Sequence, residues 1–249
     1  MTGKAAAQLL DNERLQRELA QARAELEDFT YSVSHDLRAS LRHVTAYVQI
    51  IREDLGRQPD AELLAHLETV NAAARQMGRQ IDGLMELSRL TRVELQLSSV
   101  DAGQLLRDVC ASLAPSLGGR ALAWQLAPDF PALHADAQLL RRVLVELLSN
   151  ALKFTASRPL AEVKVTWQAQ EDGRCALTVS DNGVGFDPLY APKLFHAFQR
   201  LHGSREFEGL GMGLALVRKM VERHGGTVWA SGAPGAGCCV SFTLAQPAN

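Results

Sequence analysis

Apolar residues recur at spacings of three and four through the N-terminal third of the chain, with charged residues between them. This spacing is typical of amphipathic α-helices that carry one apolar stripe. Turn-forming residues at Gly56–Asp60 divide the pattern into two helices. Because two antiparallel helices bury only part of such stripes, the pattern predicts a homodimer in which two hairpins form a four-helix bundle. The first stripe comprises Leu15, Leu19, Ala22, Leu26, Phe29, Val33, Leu37, Leu41, Val44, Val48, Ile51 and Leu55, and the second comprises Leu63, Leu67, Val70, Ala74, Met77, Ile81 and Leu84.

After about residue 91 the periodicity changes, and short strand-like runs alternate with amphipathic segments. This order predicts an α+β sandwich with helices on one face of a sheet. A polar segment at 200–210 is predicted to be a loop. The predicted strands are 94–100, 121–126, 162–169, 175–180, 227–231 and 239–244, and the predicted helices are 101–113, 136–154, 189–195 and 213–224.

The composition is that of a globular protein, since 47% of the residues are hydrophobic and the formal net charge is −2. So small a charge gives no reason to expect nucleic acid or an anionic membrane as a partner. No apolar run reaches membrane-spanning length, and the N-terminus lacks a signal-peptide pattern. The four cysteines form no CxxC pair, so we expect reduced thiols in a cytoplasmic protein.

The first candidate functional residue is His35, which lies two positions from both Val33 and Leu37 of the apolar stripe. At about 100° per residue, its side chain points away from that stripe and toward solvent. Asp36 follows it directly. Most exposed histidines have no function, so His35 becomes informative only beside a second candidate site.

That second site begins on the predicted helix 136–154, where Glu146, Asn150 and Lys153 share a face separate from the apolar one. A carboxylate and an amide oxygen suit Mg²⁺, and an ammonium group neutralises phosphate. A solvated helix face is the alternative explanation for these three residues.

Two segments that contain glycine follow. Asp181-Asn182-Gly183-Val184-Gly185-Phe186 comes after an apolar strand, where an aspartate can accept a hydrogen bond from an exocyclic amine. A tight hairpin turn is the alternative, because Asn-Gly is a strong turn signal. Gly209-Leu210-Gly211-Met212-Gly213 precedes a predicted helix and can bind an anion through backbone N–H groups. A dinucleotide-binding motif is excluded, because a polar run and not a strand precedes these glycines.

Taken in order, five blocks of the chain resemble the sequence boxes of the sensor histidine kinases of two-component systems. The resemblance extends from about Glu25 to Leu244, and Phe198–His202 is similar to the subgroup attached to phytochrome and PAS sensors. The blocks are Ser34–Arg38 for the H box, Glu146–Thr155 for the N box, Asp181–Phe186 for the first glycine box, Phe195–Phe198 for the F box and Gly209–Gly213 for the second glycine box.

The resemblance implies an α+β chain in which an antiparallel helical hairpin, forming a dimeric four-helix bundle, precedes an α/β sandwich of the GHKL ATPase type. Residues 1–24 would be a coiled-coil signalling helix, 25–92 a dimerisation and histidine phosphotransfer domain, and 93–249 a catalytic ATP-binding domain. The implied reaction is ATP-dependent phosphorylation of His35, followed by transfer to an aspartate in a response-regulator receiver domain. An upstream sensor domain or sensor protein would supply the signal.

The resemblance also implies roles for individual residues. Asp36 would orient or deprotonate the ring of His35, and Asn150 with Glu146 would position Mg²⁺. A flexible lid would span about residues 187–211. The ATP-binding residues implied are Glu146, Asn150, Lys153, Asp181, Gly183, Gly185, Phe195, Phe198, Gly209, Gly211 and Gly213.

Two residues depart from the family pattern. Ser40 stands where a helix-bending proline is frequent, which predicts a straighter first helix. Ala39 stands where members that dephosphorylate their regulator carry Thr or Asn, which predicts weak phosphatase activity.

Two other functions use similar motifs. In ATPases of the gyrase, Hsp90 and MutL superfamily, Glu146 would activate water, but an exposed histidine followed by Asp36 argues against that activity. A non-catalytic dimerisation module would need no nucleotide site, and the presence of Asn150, Asp181 and the glycines argues against it.

Overall fold

The computed structural model describes residues 2–55, 60–117, 119–203 and 206–247. The chain divides into two compact units, Met1–Arg89 and Leu90–Asn249. Parts of three predictions lie outside the described residues. These parts are positions 56–59 of the predicted turn, the side chains of Leu19 and Leu26 in the first stripe, and Ser204 and Arg205 of the predicted loop.

Two long helices, α1 (Thr2–Asp54) and α2 (Ala61–Arg92), supply the first unit. Arg38 Nη2 lies 2.5 Å from Asp82 Oδ1, and Arg52 Nη1 lies 3.5 Å from Glu68 Oε2. Arg52 follows Arg38 along α1, whereas its partner Glu68 precedes Asp82 along α2, so the helices are antiparallel. The predicted helical hairpin is therefore confirmed.

Helix α1 continues through Ser40 without a break. Serine keeps the backbone N–H that proline lacks, and Ser40 Oγ also donates to the carbonyl oxygen of Asp36 at 3.1 Å. The helix therefore has no proline-type interruption at this position.

A single chain buries the two apolar stripes only in part. Val48, Leu67, Ala74 and Ile81 are buried between the helices. Other stripe residues remain between 36% and 49% exposed, and these are Val33, Leu37, Val44, Ile51, Leu63, Val70, Met77 and Leu84. The hairpin thus retains a long apolar surface that its own two helices do not cover.

The second unit is built on a five-stranded sheet with the strand order β2-β4-β5-β7-β6. β2 runs parallel to β4, and the other neighbouring pairs are antiparallel. A separate two-stranded sheet pairs β1 with β3. The strands are β1 (Leu97–Asp101), β2 (Leu122–Leu126), β3 (Ala132–Asp136), β4 (Ala161–Ala169), β5 (Arg174–Asp181), β6 (Val228–Gly232) and β7 (Cys238–Ala245).

Helices α3 (Ala102–Leu113), α4 (Ala137–Phe154) and α5 (Gly213–Arg223) belong to the same unit. Along the first residues of β4 burial alternates, so that Val163 is buried between exposed Glu162 and Lys164. One face of the sheet therefore carries the core, as predicted for helices on one side. The apolar residues of α4 that enter this core are Leu140, Val143, Leu144, Leu147, Leu148, Ala151 and Leu152.

Two local features differ from the sequence prediction. Strand β3 was missed, because Asp136 ends it and at once caps α4 by accepting the N–H groups of Gln138 and Leu139. The segment predicted as a helix at 189–195 is a 3-10 helix, Pro188–Lys193. Its two prolines have no N–H to donate, which prevents a regular α-helical ladder.

Candidate functional site

The polar face of α4 carries Glu146, Asn150 and Lys153, and all three side chains are half-buried. The opposite face of the helix is fixed in the core by its leucines. These three side chains therefore lie at the edge of the sandwich, on a helix that cannot rotate without exposing apolar surface.

The N-terminus of α5 meets this polar face. A β-carbon built at Gly213 would fall 2.5 Å from Glu146 Oε2 and 3.7 Å from Asn150 Nδ2, so the glycine permits a close approach. Met212, the N-cap residue, makes no side-chain hydrogen bond to the first turn. The N–H groups at this helix end, with the positive end of the helix dipole, suit an anion.

Lys153 adds positive charge beside the same helix end. Its Nζ lies 3.5 Å from the position of a β-carbon at Gly209 and 4.5 Å from the ring centroid of Phe154. Burial, and then the nearby charge of Arg200, lower the pKa of Lys153, whereas the carboxylate of Glu146 raises it. A bound anion would relieve the unfavourable burial of this ammonium group.

Asp181 ends β5, next to the last turn of α4. One carboxylate oxygen, Oδ1, accepts the N–H of Gly183 at 2.8 Å. Burial raises the pKa of Asp181, and hydrogen bonds from the backbone N–H groups of Gly183 and Cys238 oppose that rise. A partly buried carboxylate held in this way can accept a further hydrogen bond from a ligand.

The glycine turn after Asp181 is fastened to the end of α4. The N–H of Val184 donates to the carbonyl oxygen of Phe154 at 3.2 Å. A β-carbon at Gly183 would lie 2.6 Å from that same oxygen. The structure therefore brings the first glycine segment and the polar face of α4 to one pocket.

Three aromatic rings cluster at the end of α4. The ring of His202 lies 5.6 Å from that of Phe154 and 5.4 Å from that of Phe207, measured between centroids. The rings of Phe154 and Phe207 are 4.9 Å apart. His202 Nε2 also lies 2.9 Å from the carbonyl oxygen of Gly185. Phe154 and His202 lie inside blocks that the sequence analysis identified, but it predicted no role for either side chain, and Phe207 lies outside those blocks.

The remaining predicted residues lie in two places. Phe198 has a φ of 63°, and its N–H donates to the carbonyl oxygen of Gly211 at 2.9 Å. Phe195 is buried and lines a different cavity of about 430 Å³, together with Arg218 of α5 and Trp229 of β6. Phe198 is thus bonded to the glycine segment before α5, whereas Phe195 lies in a separate cavity.

His35 and Asp36 lie on the other unit, on the surface of α1. The side chain of His35 is 61% exposed, and its Nδ1 lies 3.3 Å from Asp36 Oδ1. The predicted orientation of His35 away from the apolar stripe agrees with this exposure. When Nδ1–H donates to Asp36, the other ring nitrogen, Nε2, carries the free lone pair.

The residues present fit a magnesium ion only in combination with a ligand. Glu146 and Asn150 offer oxygen atoms of the type that Mg²⁺ prefers. Within the described ranges, no group of three or more His, Cys, Asp or Glu side chains could hold a metal. The rest of an octahedral shell would come from phosphate oxygens and water, which is the usual arrangement for Mg²⁺.

Two protein-family models match this chain. Residues 25–92 match the His Kinase A (phospho-acceptor) domain. Residues 135–248 match the Histidine kinase-, DNA gyrase B-, and HSP90-like ATPase family. The two matches cover α1 from its middle to its end, α2, and the part of the second unit that contains the pocket.

Curated relatives are similar over most of the chain. The methanogenesis regulatory histidine kinase FilI of Methanothrix harundinacea is 33% identical over 90% of this chain and 25% of its own length. The phytochrome-like protein Cph1 of Synechocystis sp. is 29% identical over 93% of this chain and 30% of its own. The adaptive-response sensory kinase SasA of Synechococcus sp. is 30% identical over 92% of this chain and 63% of its own. The chain therefore spans between a quarter and about two thirds of these relatives.

Solved structures share the fold. Full-length ShkA in complex with AMPPNP is 27% identical, with a TM-score of 0.62 over 89% of this chain and 47% of that one. The histidine kinase AdeS of Acinetobacter baumannii is 18% identical, with a TM-score of 0.58 over 86% of this chain and 98% of that one, which shows the fold alone. Among the described residues, no helix has both the length and the apolar character needed to cross a membrane.

We expect His202→Ala to loosen the lid, because it removes the hydrogen bond to Gly185 and the ring contacts with Phe154 and Phe207. Loss of one hydrogen bond of about 0.5–1.5 kcal/mol raises the equilibrium constant for local opening of this segment roughly two- to tenfold. Limited proteolysis would detect this as faster tryptic cleavage after Arg200. His196→Ala, an exposed histidine on the same segment, is the control. Equal cleavage rates for the two variants would contradict the assigned contact.

Proposed function

The chain belongs to the sensor histidine kinases, and we propose that it uses ATP to phosphorylate its own His35 and then transfers the phosphoryl group to a response regulator. The observation that carries this proposal is the meeting of α4, the end of β5 and the N-terminus of α5 at one pocket. Residues 1–24 would act as a signalling helix, 25–92 as the dimerisation and phosphotransfer domain, and 93–249 as the ATP-binding domain.

The purine ring would bind between the end of α4 and the glycine turn. Asp181 would accept a hydrogen bond from the exocyclic amine of adenine, since its carboxylate is already oriented by the N–H of Gly183. The ring of Phe154 offers an apolar surface, and Gly183 and Gly185 let the glycine turn pack closely against the backbone of Phe154 and Ala233. His202 supports the ring of Phe154 from the lid side.

The phosphate groups would bind where positive charge and backbone N–H groups meet. Lys153 and the N-terminus of α5 supply both, and Gly209, Gly211 and Gly213 would contribute backbone N–H groups at this end of the pocket. Glu146 and Asn150 would hold a magnesium ion, whose chemistry is to neutralise phosphate charge during transfer.

Transfer requires the γ-phosphoryl group to reach His35 on the other unit. With Nδ1–H donated to Asp36, the lone pair of Nε2 attacks the γ-phosphorus atom. A nitrogen–phosphorus bond forms, the bond from phosphorus to the bridging oxygen breaks, and ADP leaves with that electron pair. Asp36 stabilises the positive charge on the ring and accepts its Nδ1 proton. The phosphoryl group would then pass to an aspartate of a receiver domain.

The partners proposed are those that the surfaces of this chain require. The exposed stripes on α1 and α2 would pack against a second copy to complete a four-helix bundle. A receiver domain would dock beside the exposed His35. The signal would arrive along α1 from an upstream sensor domain or sensor protein. Ala39 offers no group to orient a water, so phosphatase activity toward the regulator would be weak.

The direct test is incubation of the full chain with γ-labelled ATP and Mg²⁺. We expect label that is acid-labile and alkali-stable, and we expect it to vanish in His35→Gln because the acceptor nitrogen is lost. His43→Gln is the matched control, since His43 is an exposed histidine on the same helix. Steady phosphate release that is indifferent to His35 would instead indicate a clamp-type ATPase, and nucleotide binding without label would indicate a binding module.

Asp181→Asn should separate nucleotide binding from stability. Because burial raises the pKa of Asp181, the folded state holds its proton more tightly, so the ionised carboxylate lowers stability above the raised pKa. In the asparagine variant, Tm at neutral pH should therefore be unchanged or higher. The gain in stability that the wild type shows as pH falls through the pKa of Asp181 should be absent. Loss of a charged hydrogen bond of about 1.5–3 kcal/mol should weaken ATP binding roughly ten- to a hundredfold. Unchanged affinity in a calorimetric titration would contradict the role of Asp181.

A further inference from the structure

The glycine turn at 181–185 rests on a second turn, which the sequence motifs do not include. This second turn, Ala233–Gly237, joins β6 to β7. The N–H of Gly235 donates to the carbonyl oxygen of Val184 at 2.7 Å. Gly185 has a φ of 64°, and a β-carbon there would lie 1.9 Å from the carbonyl oxygen of Ala233. The two turns are therefore in direct backbone contact.

The guanidinium group of Arg158 fastens the two turns together. Its Nε donates to the carbonyl oxygen of Asn182 at 2.7 Å, and its Nη2 donates to that of Gly183 at 2.9 Å. The same Nη2 donates to the carbonyl oxygen of Gly235 at 2.6 Å. One side chain thus binds three backbone carbonyls on two segments that are distant in sequence.

Asn182 holds the other side of the glycine turn. Its Oδ1 accepts the N–H of Glu162 at 3.0 Å, and its Nδ2 donates to the carbonyl oxygen of Leu160 at 3.0 Å. Arg158 and Leu160 belong to the short connection from α4 to β4, and Glu162 is the second residue of β4. The connection and the start of β4 therefore hold the turn that carries Asp181 and Gly183 by hydrogen bonds from both sides.

We propose that Arg158 is a positioning residue for nucleotide binding, which fixes the glycine turn so that Asp181 and Gly183 face the purine ring. This inference rests on the proposed ATP-binding function. Arg158 bonds to the outer carbonyls of the turn and not to the pocket, so it acts through the backbone. A loosened turn would lower affinity for ATP, while a bound ATP would still react at the normal rate.

The geometry also distinguishes this role from simple attraction of an anion. Arg158 uses two different nitrogen atoms in a planar fork, which a lysine ammonium cannot reproduce. Arg158→Lys therefore keeps the positive charge and loses the fork, whereas Arg158→Ala loses both. Positioning predicts that both variants weaken binding, and electrostatic attraction predicts that only the alanine variant does.

The experiment measures KM for ATP and kcat for His35 phosphorylation in the full chain, with Kd for Mg-AMPPNP from calorimetry. For Arg158→Ala we expect KM and Kd to rise about tenfold, the equivalent of one charged hydrogen bond, with kcat at saturating ATP within about twofold. For Arg158→Lys we expect most of the same rise. Arg174→Ala is the control, because Arg174 also donates to a backbone carbonyl, that of Gly225, at the opposite end of β5.

Three results would overturn the inference. Unchanged KM and Kd in Arg158→Ala would show that the turn holds its shape without the arginine. Wild-type affinity in Arg158→Lys would show that the loss in Arg158→Ala comes from the lost positive charge alone. An equal loss of affinity in Arg174→Ala would show that it comes from a general loss of stability. Wild-type protein that binds no nucleotide would instead overturn the proposed function, and this inference with it.

Discussion

The N–H of Val184 donates to the carbonyl oxygen of Phe154, and this hydrogen bond joins the last residue of α4 to the turn after β5. The absence of a side chain at Gly183 lets the two backbones approach to that distance. Because α4 is fixed in the core and β5 is central in the sheet, the bond ties the strand end that carries Asp181 to the helix that carries Lys153 and Asn150. The N-terminus of α5 and the lid are arranged around this junction.

Two segments beside the pocket are held by different numbers of contacts. The glycine turn at 181–185 has many hydrogen bonds, and the segment that carries His202 and Phe207 has few. The glycine turn is held by backbone hydrogen bonds, by the guanidinium group of Arg158 and by the side chain of Asn182. The segment that carries His202 and Phe207 is held to the glycine turn by one imidazole hydrogen bond and by ring contacts. A nucleotide site needs this difference, since the ligand must enter and leave while the groups that recognise it keep their geometry.

The sequence predicts those parts of the chain whose structure depends on local periodicity. The apolar spacing of α4 places Glu146 and Asn150 on one face, and the apolar run of β5 places Asp181 at a strand end. Strand β3 was missed because it is five residues long and its last residue, Asp136, carries a strong helix-start signal. The helix-start signal at Asp136 therefore prevented the prediction of β3 from the sequence.

The parts that the sequence could not predict depend on contacts between distant segments. Arg158 and Gly235 are 77 positions apart, and no local pattern marks their hydrogen bond. His202 and Phe154 are 48 positions apart, and no local pattern marks their ring contact. The apolar stripes were correctly located, but their burial depends on what covers them, and a single hairpin leaves Val44 and Val70 exposed.

The measurement that tests the account most directly is a ¹⁵N–¹H spectrum of the full chain during titration with Mg-AMPPNP. The account predicts that the largest shifts occur at the amides of Gly183, Val184 and Gly213, because the nucleotide would lie between the glycine turn and the start of α5. Large shifts around the cavity of Phe195 and Trp229, with the amides of Gly183 and Val184 unmoved, would contradict it.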